Sequence, residues 1–145
     1  MDTRLAVVDD VPQVKKITDA AYHQYIERIG VVPAPMKADH AADVAAGRVF
    51  VTGEPVQGVI VLVPRGDHLF LESVAVHPDA RGTGLGRTLL GLAESRAREL
   101  GLAEIRLYTN ALMWENQNMY ARYGYEVVER RVGGAYDCIH YRKPL

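Results

Sequence analysis

The sequence predicts an α/β domain whose central sheet is mixed and mostly antiparallel, with about seven strands and about four helices. Three observations support this fold class. The β-branched runs VFVTG, QGVIVLVP and HLFLESVAV follow one another across short turn signals, which is typical of an antiparallel meander. A helical stripe then separates HLFLESVAV from EIRLYT, and a strand–helix–strand unit ordinarily makes two parallel neighbours. YEVVERRV and YDCIHYRKP have the pattern of a closing hairpin.

The first third of the chain predicts a strand followed by a helical insert. RLAVV is a short strand, after which Asp10 is a candidate N-cap, with proline in the first turn and glutamine at the reciprocal capping position. Apolar residues at intervals of three and four continue this helix to Gly30. The prolines of VVPAPMKAD require a loop, and Asp39 can cap a second short helix that ends at Gly47.

The second half of the chain carries two further helices. Leucines and alanines at helical spacing begin at Leu85, and Gly101 ends this stripe. The segment LMWENQNMYARYG, after EIRLYT, has the same spacing and predicts one more helix.

Length and composition predict a single domain over residues 1–145 with a substantial core, because 48% of the 145 residues are hydrophobic. A net charge of −1 offers no basic surplus, so neither nucleic acid nor an anionic membrane is an expected partner. Cys138 is the single cysteine, the N-terminus lacks a signal-peptide pattern, and the apolar runs fall short of the roughly 20 residues of a membrane span. A soluble, cytoplasmic protein is therefore expected.

No metal site is predicted, because the five histidines are scattered and there is no cysteine pair. Surface positions account for the histidines. His77 precedes Pro78 at a strand end, which is a turn position. The histidines are His23, His40, His68, His77 and His140.

Three glycines in five residues, Gly82, Gly84 and Gly86, lie between a strand and an amphipathic helix. Such a backbone must bend sharply or approach a ligand closely. The start of a helix offers unpaired N–H groups and positive dipole charge, and Arg81 and Arg87 add charge at the rim, so a pyrophosphate is the expected guest. The alternative is a tight connection with a solvated arginine at each end. The spacing matches neither the dinucleotide fingerprint nor a Walker A loop.

The segment Arg81-Gly82-Thr83-Gly84-Leu85-Gly86 resembles the R/Q-x-x-G-x-G/A signature of the GNAT superfamily of acyl-CoA-dependent N-acyltransferases. The preceding LESVAVHPDA is similar to the family's fourth strand and its V-x-P-x-x-R lead-in, and MYARYGYE resembles the family's Y-x-x-x-G-F/Y element. The order of elements from Arg4 to Leu145 also looks like the whole GNAT core. The resemblance implies a GNAT-like sheet in which the parallel fourth and fifth strands splay apart.

The same resemblance implies acetyl-CoA as cosubstrate. Backbone N–H groups at the start of the third helix would hold its pyrophosphate, and main-chain groups of the fourth strand would hydrogen-bond its pantetheine arm. The implied cofactor-binding residues are Val74, Ala75, Val76, Arg81, Gly82, Thr83, Gly84, Leu85, Gly86, Arg87 and Thr88.

Two residues are candidates for proton transfer. Tyr120 matches the family's tyrosine, where a phenol near the sulfur acts as general acid, although a tyrosine packed in the core is the alternative. Glu72 is the candidate base because strand alternation places it on the face of Val74 and Val76, provided that no bulge intervenes. A water chain as base, with Glu72 an exposed strand residue, is equally open.

Asn116 is a further candidate for contact with the cofactor, because it lies four residues before Tyr120 on the same helix face. Family members commonly carry an asparagine where this chain has Met113. Asn110 is the alternative, with a turn or helix cap as its structural role.

The expected reaction is direct attack of a primary amine on the thioester. By resemblance, the segment YHQYIERIGVVPAPMKAD borders the acceptor site. Its apolar residues suggest an apolar wall, with Glu27 and Asp39 available for a cation. The acceptor, the acyl chain and the choice between monomer and homodimer stay open, and a small amine, an antibiotic and a peptide N-terminus all fit. The alternatives to an acetyltransferase are a non-catalytic acyl-CoA-binding or sensor domain and a nucleotide-binding module. The wall residues are Tyr22, Tyr25, Pro33, Pro35 and Met36.

Overall fold

A seven-stranded sheet forms the centre of the computed structural model, which describes residues 3–134 and 136–145. Its spatial order is β1-β2-β3-β4-β5-β7-β6, and β4 and β5 are parallel while every other neighbouring pair is antiparallel. The predicted meander, crossover and closing hairpin are therefore confirmed. The strands are β1 Thr3–Leu5, β2 Val49–Thr52, β3 Gly58–Pro64, β4 Leu69–Val76, β5 Glu104–Asn110, β6 Glu126–Gly133 and β7 Tyr136–Pro144.

Five α-helices cover the sheet within the described residues, one more than the four expected. The long first helix was predicted to run to Gly30, but the chain turns at His23 and Gln24. Two buried tyrosines flank this break, and their hydroxyls bond to different partners, Val74 and Glu115, which accounts for the change of direction. None of the helices in the described part of the chain has the length and apolar character to cross a membrane. The helices are α1 Val11–Tyr22, α2 Tyr25–Ile29, α3 His40–Ala45, α4 Leu85–Glu99 and α5 Trp114–Arg122.

One of the two capping hydrogen bonds that the sequence predicts for the N-terminal helices is present. The Asp39 carboxylate accepts a hydrogen bond from the Ala42 N–H at 3.0 Å, as predicted. Asp10 occupies the predicted N-cap position of α1, but its side chain does not cap the helix. Its carboxylate accepts bonds from the Arg4 guanidinium at 2.7 and 2.9 Å and from the Val7 N–H at 2.8 Å. Asp10 thus joins β1 to the turn that precedes α1.

The sheet separates two layers of hydrophobic core. Alternate residues of β2 point to opposite faces, so that Val49 and Val51 pack with α1 and α3, while Phe50 packs with α4. The long stripe of α4 is completely buried at Leu89 and Ala93. Both faces of β2, β3 and β4 are therefore covered. The main chain of these strands can be exposed only at a strand edge.

The parallel pair β4–β5 holds together only at its beginning. Leu69 pairs with Ile105 and Phe70 with Arg106, and no further pairing between these strands follows within the described residues. On its other side, β4 pairs with β3 along its whole length, with a bulge where Leu71 and Ser73 face consecutive residues of β3. The predicted splay is confirmed, and it leaves one edge of the C-terminal half of β4 without a strand partner.

We expect Asp10→Asn to lower the free energy of unfolding by about 1 kcal/mol at pH 7, because the amide loses the charge-assisted bonds to Arg4. The ion pair and the Val7 N–H hold the pKa of Asp10 below its usual value. This contribution is present above the unfolded-state pKa of about 4 and is lost as pH falls through the lower folded value. Urea titrations between pH 7 and pH 3 should show the gap to wild type closing in acid. Asp9→Asn, at the exposed neighbouring residue, should leave stability unchanged.

Candidate functional site

The glycine loop turns sharply between β4 and α4. Gly82 and Gly84 have φ values of +79° and +88°, a region that residues with a Cβ avoid. α4 begins at Leu85, and Gly84 supplies no side-chain cap. The first N–H groups of α4 have no acceptor within the helix, and they carry the positive end of its dipole.

A cleft of about 460 Å³ lies in front of this loop. We call it the glycine-loop cleft. It is lined on one side by the loop and on the other by α5, and three guanidinium groups border it: Arg81, Arg87 and Arg122. Sequence reasoning missed Arg122, because a residue two positions after Tyr120 on a helix lies on a different face and the local pattern gave no signal for it. A loop of free N–H donors with three arginines at its rim suits an anion.

Not every predicted residue of the loop faces this cleft. The hydroxyl groups of Thr83 and Thr88 donate to the carbonyl oxygens of Ala80 and Gly84, and neither residue lines the cleft. Ala75 is buried in the core under α1, so only its main chain is available for contact. Val74 and Val76, by contrast, line the cleft along the open edge of β4.

A second cleft of about 300 Å³ lies on the other side of the gap between β4 and β5. We call it the proline-loop cleft, because the segment 31–38 forms one wall, and parts of β4, β5 and β7 form the other. The predicted apolar wall is present at Tyr22, Pro33 and Pro35. The two predicted acidic residues, Glu27 and Asp39, do not line it, nor does Met36. Tyr25 lines the glycine-loop cleft instead.

Tyr22 and Asn116 line both clefts and thereby mark where they meet. The Tyr22 hydroxyl donates to the Val74 carbonyl oxygen at 3.1 Å, and complete burial raises its pKa to about 12. Among the described residues, the one contact of the Asn116 amide is a long one of 3.7 Å with the Met113 sulfur. The rival asparagine, Asn110, accepts a bond from the Leu112 N–H at 2.9 Å and so stabilises a turn. Of the two asparagines, Asn116 is the one that faces both clefts.

Tyr120 reaches the proline-loop cleft from α5 although only 3% of its surface is exposed. Its ring packs against those of Tyr125 and Tyr141, with centroids 5.6 and 5.9 Å away. Its hydroxyl makes no hydrogen bond with any residue that the structure describes. Burial, with smaller effects of the neighbouring tyrosines, raises its pKa well above the ordinary value of a phenol. Tyr120 therefore presents a protonated, unpartnered hydroxyl.

Glu72 faces the proline-loop cleft, but not for the reason predicted. The alternation argument required a regular strand, and the β4 bulge falls at Glu72 itself. The bulge places Val74 in the core beneath α4, while Glu72 lines the cleft beside the buried Ser73. Glu72 is exposed, as the alternative interpretation expected, and partial loss of hydration is still the main cause that raises its pKa. The Asp43 carboxylate raises this pKa further, and Arg48 and Arg65 oppose the increase. A carboxyl with a raised pKa is suited to accepting a proton.

The histidines differ from expectation at one position. His77 accepts a bond from the Asp79 N–H through Nδ1, in agreement with its predicted role in a turn. His40, expected at the surface, is only 7% exposed, and neither ring nitrogen has a hydrogen-bond partner among the described residues. Burial lowers its pKa, so that the ring is neutral at pH 7. In residues 3–134 and 136–145, no group of acidic, histidine or cysteine side chains could hold a metal ion.

A polar bridge joins α2 to the start of α5. The Arg28 guanidinium donates to the Glu115 carboxylate at 2.7 Å and lies 4.3 Å from the Trp114 ring centroid. The Tyr25 hydroxyl donates to the same carboxylate at 3.2 Å. The bond from Arg28 is the main cause that lowers the pKa of Glu115. This bridge fixes the position of the helix that carries Asn116.

Comparison with known families identifies one match that spans more than half of the chain. The model of the acetyltransferase (GNAT) domain matches residues 45–127, which include β2 to β5, the glycine loop and α5. Within the curated proteins, the mycothiol acetyltransferase of Propionibacterium freudenreichii subsp. shermanii is 40% identical over 72 residues. That match covers 50% of this chain and 22% of the relative, so the chain spans only a small part of the relative's length.

Solved structures share the fold across the chain. The PaiA N-acetyltransferase of Thermoplasma acidophilum, solved in complex with coenzyme A, has a TM-score of 0.85 at 16% identity and covers 99% of this chain and 98% of its own. The protein yncA of Salmonella typhimurium, a putative acetyltransferase solved with acetyl-CoA, has a TM-score of 0.75 at 20% identity, covering 99% and 93%. At such identities the likeness concerns the fold alone.

Gly84→Ala and Gly91→Ala should change stability in opposite directions, although a Cβ at either position meets open space. Alanine at position 84 must adopt the positive φ of +88°, which costs about 1 kcal/mol. Position 91 lies inside α4, where alanine should add about 0.5–1 kcal/mol. Urea denaturation followed by circular dichroism measures both. Equal effects of the two substitutions would contradict the strained geometry of the loop.

Proposed function

The chain belongs to the GNAT acetyltransferase family, and from that premise we propose that it transfers the acetyl group of acetyl-CoA to a primary amine by direct attack. The observation that carries the proposal is the junction of two clefts at Tyr22 and Asn116. One cleft offers N–H donors and arginines to an anion, and the other offers a carboxyl and a phenol to a reacting amine. Two substrates can therefore reach one point through separate entrances.

The residues of the glycine-loop cleft suit acetyl-CoA, which supplies an activated acyl group as its thioester. The N–H groups of residues 82–88 that open onto the cleft bind the pyrophosphate together with the positive end of the α4 dipole. Arg81 and Arg87 add charge at the rim, and Arg122 approaches from α5. Main-chain groups of residues 74–76 hydrogen-bond the pantetheine arm in place of the missing β5 neighbour. Asn116 contacts the cosubstrate where the clefts meet.

Glu72 and Tyr120 handle the protons of the transfer. Glu72, directly or through one water, takes the proton that the attacking ammonium must lose. As the N–C bond forms and the C–S bond breaks, the Tyr120 hydroxyl gives its proton to the leaving sulfur. The raised pKa of Tyr120 keeps its proton in place until charge collects on the sulfur. The amide nitrogen still carries a second surplus proton after the attack and loses it to solvent. Glu72 returns its own proton to Tyr120 through solvent, which restores both groups.

The proposal is tested by the release of free coenzyme A thiol from acetyl-CoA in the presence of amines. Thiol release that depends on an amine, with tight binding of acetyl-CoA and weak binding of ATP and NAD by calorimetry, would support it. Tight binding of acetyl-CoA without turnover of any amine would favour a sensor domain instead. Equal binding of ATP and NAD would favour a nucleotide-binding module.

Tyr120→Phe should lower kcat about tenfold to a hundredfold, since it removes the general acid and leaves the ring packing in place. The affinity for acetyl-CoA should change little, because the lost bond strengthens only in the transition state. Steady-state kinetics and calorimetric titration measure the two quantities. Tyr125→Phe is the matched control, since Tyr125 is equally buried, its hydroxyl has no partner among the described residues, and it lines neither cleft. An unchanged kcat in Tyr120→Phe, without a pre-steady-state burst, would remove Tyr120 from the mechanism.

Glu72→Gln should lower kcat/KM about a hundredfold at pH values above the raised pKa of Glu72. As pH falls through that pKa, the wild-type carboxyl gains a proton and stops acting as a base, so the ratio of wild type to variant should shrink towards one. The amine's own ionisation is common to both proteins and cancels in this ratio. The control Glu54→Gln, at an exposed site outside both clefts, should have the kcat/KM of wild type at every pH. A ratio that stays constant with pH would assign Glu72 a structural role.

A further inference from the structure

The charge of the proline-loop cleft limits the acceptor, provided that the proposed acetyl transfer to an amine holds. Among the described residues that line the cleft, Glu72 carries the one carboxylate and Lys37 the one ammonium group. The neutral ring of His40 adds no charge. An acceptor with a single positive charge finds one partner here. A second ammonium group would find no further carboxylate among the described lining residues and would share the cleft with the like charge of Lys37.

The mouth of the same cleft is apolar on both sides. Val31 and Val32, on the proline loop, are 46% and 40% exposed, and Tyr108 and Tyr136, on β5 and β7, are 44% and 41% exposed. The two tyrosine rings lie 6.3 Å apart between centroids and form one continuous aromatic wall. Large apolar side chains that remain exposed and adjacent mark a binding surface. An apolar group that lies between the walls removes the surface of these side chains from water, which favours binding.

We infer that the acceptor is a primary amine with a single positive charge, attached to an aromatic or branched apolar body that lies between Val31 and Val32 on one side and Tyr108 and Tyr136 on the other. The amine points inward to Glu72 and Tyr120, and the body remains in the mouth. Polyamines and aminoglycosides fit poorly, because each carries several positive charges on a polar frame. The amine is either a free small molecule or the N-terminal residue of a peptide, since both present this chemistry.

The test compares the specificity constants for phenethylamine, ethanolamine and spermidine, measured by thiol release from acetyl-CoA at equal ionic strength. We expect phenethylamine to exceed both others by about tenfold or more, because it alone combines one charge with an apolar body. The amide of Phe-Gly-Gly distinguishes the two sources. A peptide value above that of phenethylamine would assign a peptide N-terminus, and a lower value a free amine.

A variant pair tests the placement of the apolar body. Val32→Glu should weaken the apparent affinity for phenethylamine about fivefold or more in steady-state kinetics. It should also reduce the preference for phenethylamine over spermidine, while the affinity for acetyl-CoA stays unchanged. Val127→Glu makes the same change at an exposed position on β6, outside both clefts, and should alter neither quantity. Circular dichroism verifies that both variants fold.

Two results would overturn different claims. If spermidine or ethanolamine equals phenethylamine in its specificity constant, or if Val32→Glu behaves as Val127→Glu does, the inferred acceptor class is wrong and acetyl transfer still stands. If no amine accelerates thiol release although acetyl-CoA binds, the proposed function fails, and the inferred acceptor class fails with it.

Discussion

The separation of β4 from β5 after Phe70 is the constraint on which the rest of the site depends. Two parallel strands normally satisfy each other's main-chain groups along their full length. Here the bulge at Glu72 redirects β4, so that its last residues keep only β3 as a neighbour. The free edge, the glycine loop that continues it and the two clefts on either side all follow from this one divergence. α1 and α4 pack on opposite faces of β4 and hold it in this position between the two core layers.

Local features of the sequence were sufficient to predict much of the fold. Glycine readily takes the positive φ that closes the last turn of a helix, which is why Gly30 and Gly101 marked two helix ends correctly. Alternation and turn signals likewise predicted the meander. Features that depend on a partner outside the element itself were missed. The partner of Asp10 is Arg4 on the neighbouring strand, and nothing in the local pattern distinguishes that pairing from a helix cap.

The candidate site shows the same division between local and distant causes. Short motifs that resemble the family's singled out the glycine loop and Tyr120, and helical spacing from Tyr120 singled out Asn116. The structure places all three beside the clefts. The β4 bulge could not, since one extra residue in a strand leaves no mark in an alternating pattern as short as LFLESVAV. Arg122, Lys37 and the buried His40 enter the clefts only through the packing of helices and loops that are far apart in sequence.

The bridge between α2 and α5 gives the protein a natural optical probe. Trp114 is the chain's one tryptophan, and its indole is half exposed and stacked on the Arg28 guanidinium. Indole emission depends on the charge and water beside the ring. A displacement of α2 relative to α5 that separates Arg28 from Trp114 would change both, so intrinsic fluorescence can report it in the unlabelled protein. The eight tyrosines of the chain would contribute little when the indole alone is excited at its red edge.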